Sequence, residues 1–117
     1  AVLFTATYGL TPNISIAAAI SVFLMGILYG LVFWLTDNLL MTIAMHFIWN
    51  FVTGPILGIS VTTTLLPTTL LTAYPAASEF ISGGVYGIEA SVVTIFVCLA
   101  ACAIVGWKCY KAQGEKN

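Results

Sequence analysis

The protein has 117 residues, of which 61% are hydrophobic and only 6% are charged, and its mean hydropathy is +1.09. A soluble globular domain carries about 25% charged residues, so this composition excludes an ordinary water-soluble domain and predicts an integral membrane protein. The chain has three lysine and arginine residues in total and a formal net charge of −1, which excludes binding to a run of nucleic-acid phosphates. Membrane lipids are therefore its expected surroundings.

The first 35 residues contain two apolar segments separated by a Thr-Pro-Asn turn. Residues 1–9 are expected to be the end of an apolar helix, because Pro12 cannot continue a helix. Residues 14–35 form a second helix of about 22 residues, which at about 33 Å is long enough to cross the hydrocarbon core. Asn13 and Ser15 can cap its N-terminus.

Two more helices and a long loop follow. Residues 38–53 are predicted to form a third helix, which a polar Thr-Asp-Asn turn precedes and a Gly-Pro pair ends. Residues 54–87 are rich in Thr, Pro and Gly and predict short helical pieces within an irregular loop. Residues 88–107 form the last span, with Glu89 in its first turn and Lys108 at its end, where both charges suit the helix dipole.

The predicted fold class is all-α. We expect a polytopic transmembrane helical bundle with about three to four apolar helices and a long irregular loop before the last one. Residues 1–117 form a single transmembrane domain, and residues 113–117 are expected to be a disordered polar tail. Lys108 and Lys111 favour a cytoplasmic C-terminus by the positive-inside rule, and we expect the plasma (inner) membrane of a prokaryote.

Small side chains at two places predict close packing between helices. Gly26 and Gly30 lie four residues apart and form a small-xxx-small face. Cys98, Cys102 and Cys109 lie on or just beyond the last apolar segment. No histidine or carboxylate is spaced with them to complete a metal set, so we interpret them as small packing residues.

The chain's single histidine lies within the third apolar helix. His46 and Asn50 are four residues apart, which places both side chains on one face, one turn from each other. The imidazole can exchange hydrogen bonds with a water or a substrate carbonyl, and the carboxamide can stabilise an oxyanion. The alternative is a polar pair that only joins helices. Spacing alone does not decide between the two.

Two longer motifs surround this pair. Residues 45–58 read MHFIWNFVTGPILG, and residues 83–91 read GGVYGIEAS. The H-x-x-x-N element followed by G-P-x-x-G, and the later G-G-x-x-G-x-E, resemble the C-terminal part of the CPBP family. These are intramembrane endopeptidases related to CAAX prenyl proteases and to Abi bacteriocin-immunity proteins. The resemblance covers nearly the whole chain and implies that it is the C-terminal part of a larger helical domain.

The resemblance also implies roles for individual residues. The family uses a Glu-Glu-x-x-x-Arg motif for the glutamate that activates water, an F-x-x-x-H histidine, and an H-x-x-x-N/D pair that assists the water and the oxyanion. His46 and Asn50 match the last motif. Residues 4–8 fall where F-x-x-x-H is expected, so Tyr8 occupies the histidine position. The glutamate motif has no counterpart, because the chain has no arginine and no carboxylate before Asp37.

The implied function is an intramembrane peptidase of the glutamic or metallo type that hydrolyses a peptide or protein substrate at the membrane. The alternative is an inactive family member that acts as a bacteriocin-immunity or membrane scaffold protein. A third class is an accessory subunit of a membrane complex. No cofactor is expected, although His46 would be a ligand if the family's metal model held. Tyr8 can hydrogen-bond, but a phenol cannot replace an imidazole as a base at neutral pH.

The remaining polar and aromatic residues are given structural interpretations. Glu89 is a possible substitute base, but its place at a helix start favours an ionised, structural carboxylate. Glu79 is expected to be solvated in the loop. Trp49 is expected to pack rather than to recognise substrate. Gly83 and Gly84 predict a turn, because the residues of a phosphate-binding loop do not follow them.

Overall fold

The computed structural model describes residues 1–9, 14–59, 68–71 and 78–114. Within this part every regular element is helical, which confirms the all-α class. The α-helices are α1 (Val2–Tyr8), α2 (Ile16–Thr36), α3 (Leu39–Phe51), α4 (Glu79–Ser82) and α5 (Val92–Gly114). A π-helical turn, Val52–Ile56, continues α3, and two 3₁₀ turns, Gly84–Tyr86 and Ile88–Ala90, precede α5.

Three helical segments are long and apolar enough to cross a membrane. They are Ile16–Thr36, Leu39–Ile56 and Val92–Gly114, with mean hydropathies of 2.4, 1.4 and 2.2. Many large apolar side chains on these segments are exposed, such as Leu40 and Phe96. Such outer faces suit contact with lipid chains, and the backbone polar groups are satisfied inside the helices. The polytopic transmembrane architecture is therefore confirmed.

Polar side chains begin and end α2 as the sequence predicts. The Ser15 hydroxyl accepts a hydrogen bond from the Ala18 amide at 3.1 Å and caps the helix. Asn13, the other predicted cap, lies outside the described residues. At the other end Asp37 adopts the left-handed conformation, with φ of 48°. Asn38 then accepts from the Leu40 amide at 2.9 Å and starts α3, so a tight turn joins the two spans.

The second helix, α2, is the centre of the bundle. It packs against α1, α3, α5 and the second 3₁₀ turn. Ala18 of α2 is fully buried, and it contacts Tyr86 and Ala90 from the segment before α5. Small residues on α2 therefore let the chain ahead of α5 approach closely, which brings distant parts of the sequence next to the first three helices.

The third helix does not stop at the Gly-Pro pair. The predicted end at Thr53 is wrong, because the π-helical turn carries the helical path through Pro55. In this turn the Leu57 amide donates to the Val52 carbonyl at 3.0 Å, five residues back. A proline lacks an amide donor and crowds the preceding turn, and the wider π turn accommodates it.

The last helix begins and ends later than predicted. Ser91 is extended, with φ of −77° and ψ of 138°, and separates the 3₁₀ turn from α5. Its hydroxyl accepts from the Val93 amide at 3.1 Å and donates to the Ile81 carbonyl at 2.6 Å. Glu89 therefore lies outside α5. The helix continues to Gly114, so the predicted tail is helical at its first two residues, and residues 115–117 lie outside the described part.

The three cysteines of α5 are packing residues, as predicted. Cys98 and Cys109 are buried, Cys102 is half-buried, and all three thiols are free. The Cys102 thiol donates to the Leu24 carbonyl and the Cys109 thiol to the Leu31 carbonyl, both at 3.5 Å. These two contacts join α5 to α2 at points seven residues apart on each helix.

The two glycines of α2 differ in their surroundings. A Cβ at Gly26 would lie 2.8 Å from the Ala1 Cα and 3.4 Å from the Phe4 ring, whereas a Cβ at Gly30 would meet nothing within 4 Å. The predicted close-packing face is therefore confirmed at Gly26 and wrong at Gly30. Gly26 lets α1 lie directly against α2.

This difference predicts opposite effects of alanine at the two positions. Gly26→Ala is expected to destabilise the protein by about 1–3 kcal/mol through overpacking. Gly30→Ala is expected to be neutral or to stabilise by up to about 1 kcal/mol, because alanine is the better helix former. Thermal unfolding in detergent, followed by circular dichroism, measures both variants. Equal unfolding temperatures would contradict the close contact of α1 at Gly26.

Candidate active site

His46 lies in a cluster of aromatic rings from three helices. Its ring centroid is 5.4 Å from Tyr29 of α2, in a stacked arrangement, and 5.5 Å from Phe4 of α1, edge to face. Phe4 also contacts Tyr8, with centroids 5.1 Å apart. We call Phe4, Tyr8, Tyr29 and His46 the aromatic cluster. The structure thus brings two sequence-predicted site residues, Tyr8 and His46, into contact with the same ring, that of Phe4.

The packing of α1 on α2 explains how the cluster forms. Gly26 has no side chain at the point where α1 contacts α2, and the Phe4 ring lies next to it. Tyr29 follows Gly26 by three residues and so projects from the same face of α2. Its ring meets Phe4 edge to face at 5.9 Å. The cluster therefore depends on one small residue at the α1–α2 contact.

A cavity of about 280 Å³ opens beside the cluster, between α1, α2 and α3. Its lining residues are Phe4, Gly26, Tyr29, Thr42, Ile43 and His46. The Thr42 hydroxyl is buried and has no hydrogen-bond partner among the described residues. At about 30 Å³ per water molecule, the volume is large enough for several waters or part of a peptide. The cavity is thus mostly apolar, with a few polar groups that a ligand can satisfy.

Asn50 lies one helical turn beyond His46 on α3. Its side-chain oxygen is buried and has no hydrogen-bond partner among the described residues. A buried carbonyl oxygen without a partner costs about 1–3 kcal/mol, which makes Asn50 a candidate for binding a polar group from a substrate or water. Thr42, His46 and Asn50 follow one another at intervals of four and form a polar stripe along α3.

Sequence reasoning missed two residues of this site. Thr42 precedes His46 by four residues, so the spacing that singled out Asn50 would also have identified it. Tyr29 had no comparable signal, because an apolar helix contains many aromatic residues and only the contact with α1 selects this one. Asn50 itself does not line the cavity, and it extends the polar stripe beyond it.

The first three helices coincide with a match to a known protein family. Residues 1–52, which contain α1, α2 and α3, match the family described as type II CAAX prenyl endopeptidase Rce1-like. The family resemblance is confirmed. We call residues 1–52 the Rce1-like segment, and it includes the whole aromatic cluster and the polar stripe. No curated protein and no solved structure matches the chain.

The described residues do not fit a metal centre in the Rce1-like segment. A catalytic zinc site uses three protein ligands, and the part of the chain that the structure describes holds no group of three His, Cys, Asp or Glu residues. The neighbours of the His46 ring are the rings of Phe4 and Tyr29. His46 is therefore placed among aromatic groups and not among ligating side chains.

Glu89 reaches the Rce1-like segment from outside it. The predicted position in the first turn of the last helix is wrong, because Glu89 lies in the 3₁₀ turn before α5. The residue is only 1% exposed there. It accepts a hydrogen bond from the indole N–H of Trp49 at 3.2 Å. Trp49 therefore does more than pack. Glu79, by contrast, is exposed as expected, although it starts the short helix α4.

Proposed function

We propose that this protein acts as an intramembrane peptidase of the CAAX-protease type, in which His46 and Asn50 act on the carbonyl of the scissile peptide bond. One observation carries the proposal. The polar stripe of α3 lies beside a cavity inside the Rce1-like segment, and its Asn50 oxygen is buried without a partner among the described residues. Buried polar groups in a membrane span are costly and therefore favour a functional role.

The two side chains suit complementary parts of peptide hydrolysis. Water attacks the carbonyl carbon, the carbonyl oxygen becomes an oxyanion, and the carbon–nitrogen bond then breaks as the amine takes up a proton. The His46 imidazole can hold the water or transfer a proton. The Asn50 side-chain NH2 group can donate to the oxyanion, whose stabilisation is strongest in a site of low dielectric constant. Its unpartnered oxygen can accept a hydrogen bond from the attacking water or the leaving amine. In the proposal Tyr8 provides a hydrogen bond and not a base.

The base that activates the water has no assigned residue in this chain. The family takes it from a Glu-Glu-x-x-x-Arg motif, and the 117 residues contain no arginine. The proposal therefore concerns the carbonyl side of the reaction. We also propose a cytoplasmic C-terminus, because Lys108 and Lys111 are exposed near the end of α5. The plasma membrane is the proposed location.

The proposal is tested with the protein expressed from its complete open reading frame, purified and placed in lipid nanodiscs, because the 117 residues assign no base. We expect it to cleave a prenylated CAAX peptide or a leader peptide, with product detected by mass spectrometry. A catalytically inactive immunity or scaffold protein would be folded by circular dichroism and would leave both peptides intact. Cleavage that survives the loss of both His46 and Asn50 would also contradict the proposal, since it would show that other residues carry the activity.

A further inference from the structure

Glu89 is buried although it carries a carboxyl group. It is 1% exposed, and a carboxylate removed from water is stable only with hydrogen-bond or charge partners. It accepts the hydrogen bond from Trp49, and Tyr29 of the aromatic cluster lies within electrostatic range of it. The carboxylate therefore connects the segment before α5 with the two helices that carry the candidate site.

The backbone around Glu89 is held in place from several directions. The Thr94 hydroxyl of α5 donates to the Ile88 carbonyl at 2.7 Å, and the Ser91 hydroxyl donates to the Ile81 carbonyl at 2.6 Å. Ala90 packs against α2 at Ala18. The turn is thus fixed to α2, α4 and α5, and its carboxylate is a rigid acceptor.

Trp49 lies on α3 between the two site residues, three positions after His46 and one before Asn50. The ring contacts of His46 hold the helix against α2, but no whole residue of its thirteen is buried within the described part of the chain. Trp49 is also held at its backbone, where the Thr53 hydroxyl donates to its carbonyl at 2.7 Å. A hydrogen bond at the indole therefore bears directly on the direction in which His46 and Asn50 point.

We infer that Glu89 is a positioning residue, whose hydrogen bond with Trp49 sets the rotation of α3 and so directs His46 and Asn50 towards the site. The inference rests on the proposed function only for its effect on activity. Its structural part is the coupling of Glu89 to His46 through Trp49, and this part does not depend on the protein being a peptidase. Around metal ligands, loss of a positioning residue of this kind costs about 10–100-fold in metal affinity or activity.

The coupling is tested by nuclear magnetic resonance of the His46 imidazole, because this chain contains a single histidine. The protein is purified through a tag without histidine and placed in lipid nanodiscs. Glu89→Ala and Trp49→Phe each remove one partner of the hydrogen bond and are expected to shift the imidazole signals in the same direction. Glu89→Gln keeps an oxygen acceptor and is expected to leave them near their original positions.

Two matched controls use exposed residues of the same types. Glu79→Ala removes an exposed glutamate and Trp107→Phe an exposed tryptophan, and neither should move the His46 signals. In the cleavage assay Glu89→Ala and Trp49→Phe are expected to lower kcat about 10-fold with little change in KM, and the double variant should lose no more than either one. Glu89→Gln should restore most of kcat.

Three outcomes would overturn the inference. His46 signals that stay unchanged in Trp49→Phe would show that α3 does not depend on the hydrogen bond. A Glu89→Gln variant as inactive as Glu89→Ala would show that the charge, and not the acceptor, matters. Additive losses in the double variant would show that the two residues act separately. Absence of cleavage by the unaltered protein, with the expected signal shifts present, would instead refute only the proposed function.

Discussion

His46→Ala is expected to lower kcat for peptide cleavage by about 10²–10⁴-fold, the range that general acid–base groups contribute. Asn50→Ala is expected to lower it by about 10²–10³-fold, as the loss of one oxyanion donor does. KM should change little, because both side chains act on groups that change charge during the reaction. Single-turnover cleavage of a fluorogenic peptide in nanodiscs measures both effects.

Neighbouring apolar residues provide matched controls for these two substitutions. Phe47 and Phe51 follow His46 and Asn50 by one position each and are exposed, at 64% and 47%. Phe47→Ala and Phe51→Ala should therefore leave kcat unchanged while removing a similar or larger side chain from the same helix. The double variant of His46 and Asn50 should lose less than the product of the two single losses, because the residues act on one transition state. Equal losses in the site and control variants would show that only the fold of α3 had been disturbed.

The spans of this protein can be predicted from its sequence because their signal is local. Residues 14–35 contain no charged side chain, and Ser15 and Asn38 are polar caps beside apolar runs. The membrane requirement that backbone groups be satisfied within a segment then leaves a helix as the solution. The same local rules located His46 and Asn50, since their spacing of four places them on one helix face.

The surroundings of Glu89 could not be predicted in this way. A glutamate just before an apolar run is typical of a first helical turn. Two side-chain hydrogen bonds instead hold Glu89 in the turn before α5. The Ser91 hydroxyl bonds to a carbonyl ten residues away, and Trp49 donates to Glu89 across forty residues. Tyr29 is similar, because its place beside His46 depends on the contact of α1 with α2. Such pairings are set by tertiary packing and leave no local periodicity.

The glycine turn before α5 holds Glu89 inside the bundle, and Gly83 is its most crowded point. Gly83 has φ of 82°, and a Cβ there would clash with the Gly87 carbonyl oxygen and would lie 3.2 Å from the Ser91 amide nitrogen. The Gly87 carbonyl cannot move away easily, since it accepts the Ala90 amide at 2.9 Å. Relief of the clash would therefore have to break the turn that carries Glu89.

Gly83→Ala is accordingly expected to destabilise the protein by about 3–5 kcal/mol, more than the roughly 1–2 kcal/mol that a left-handed conformation alone costs an L-residue. Gly84→Ala is the matched control. It also has positive φ, at 58°, but its Cβ would meet only the Glu79 side chain, at 3.6 Å. Gly84→Ala should therefore show only the cost of placing alanine in the left-handed conformation. Thermal unfolding in detergent by circular dichroism separates the two variants. Equal unfolding temperatures would mean that the Gly83–Gly87 contact relaxes freely, and Glu89 would then lack the rigid support that positioning Trp49 requires.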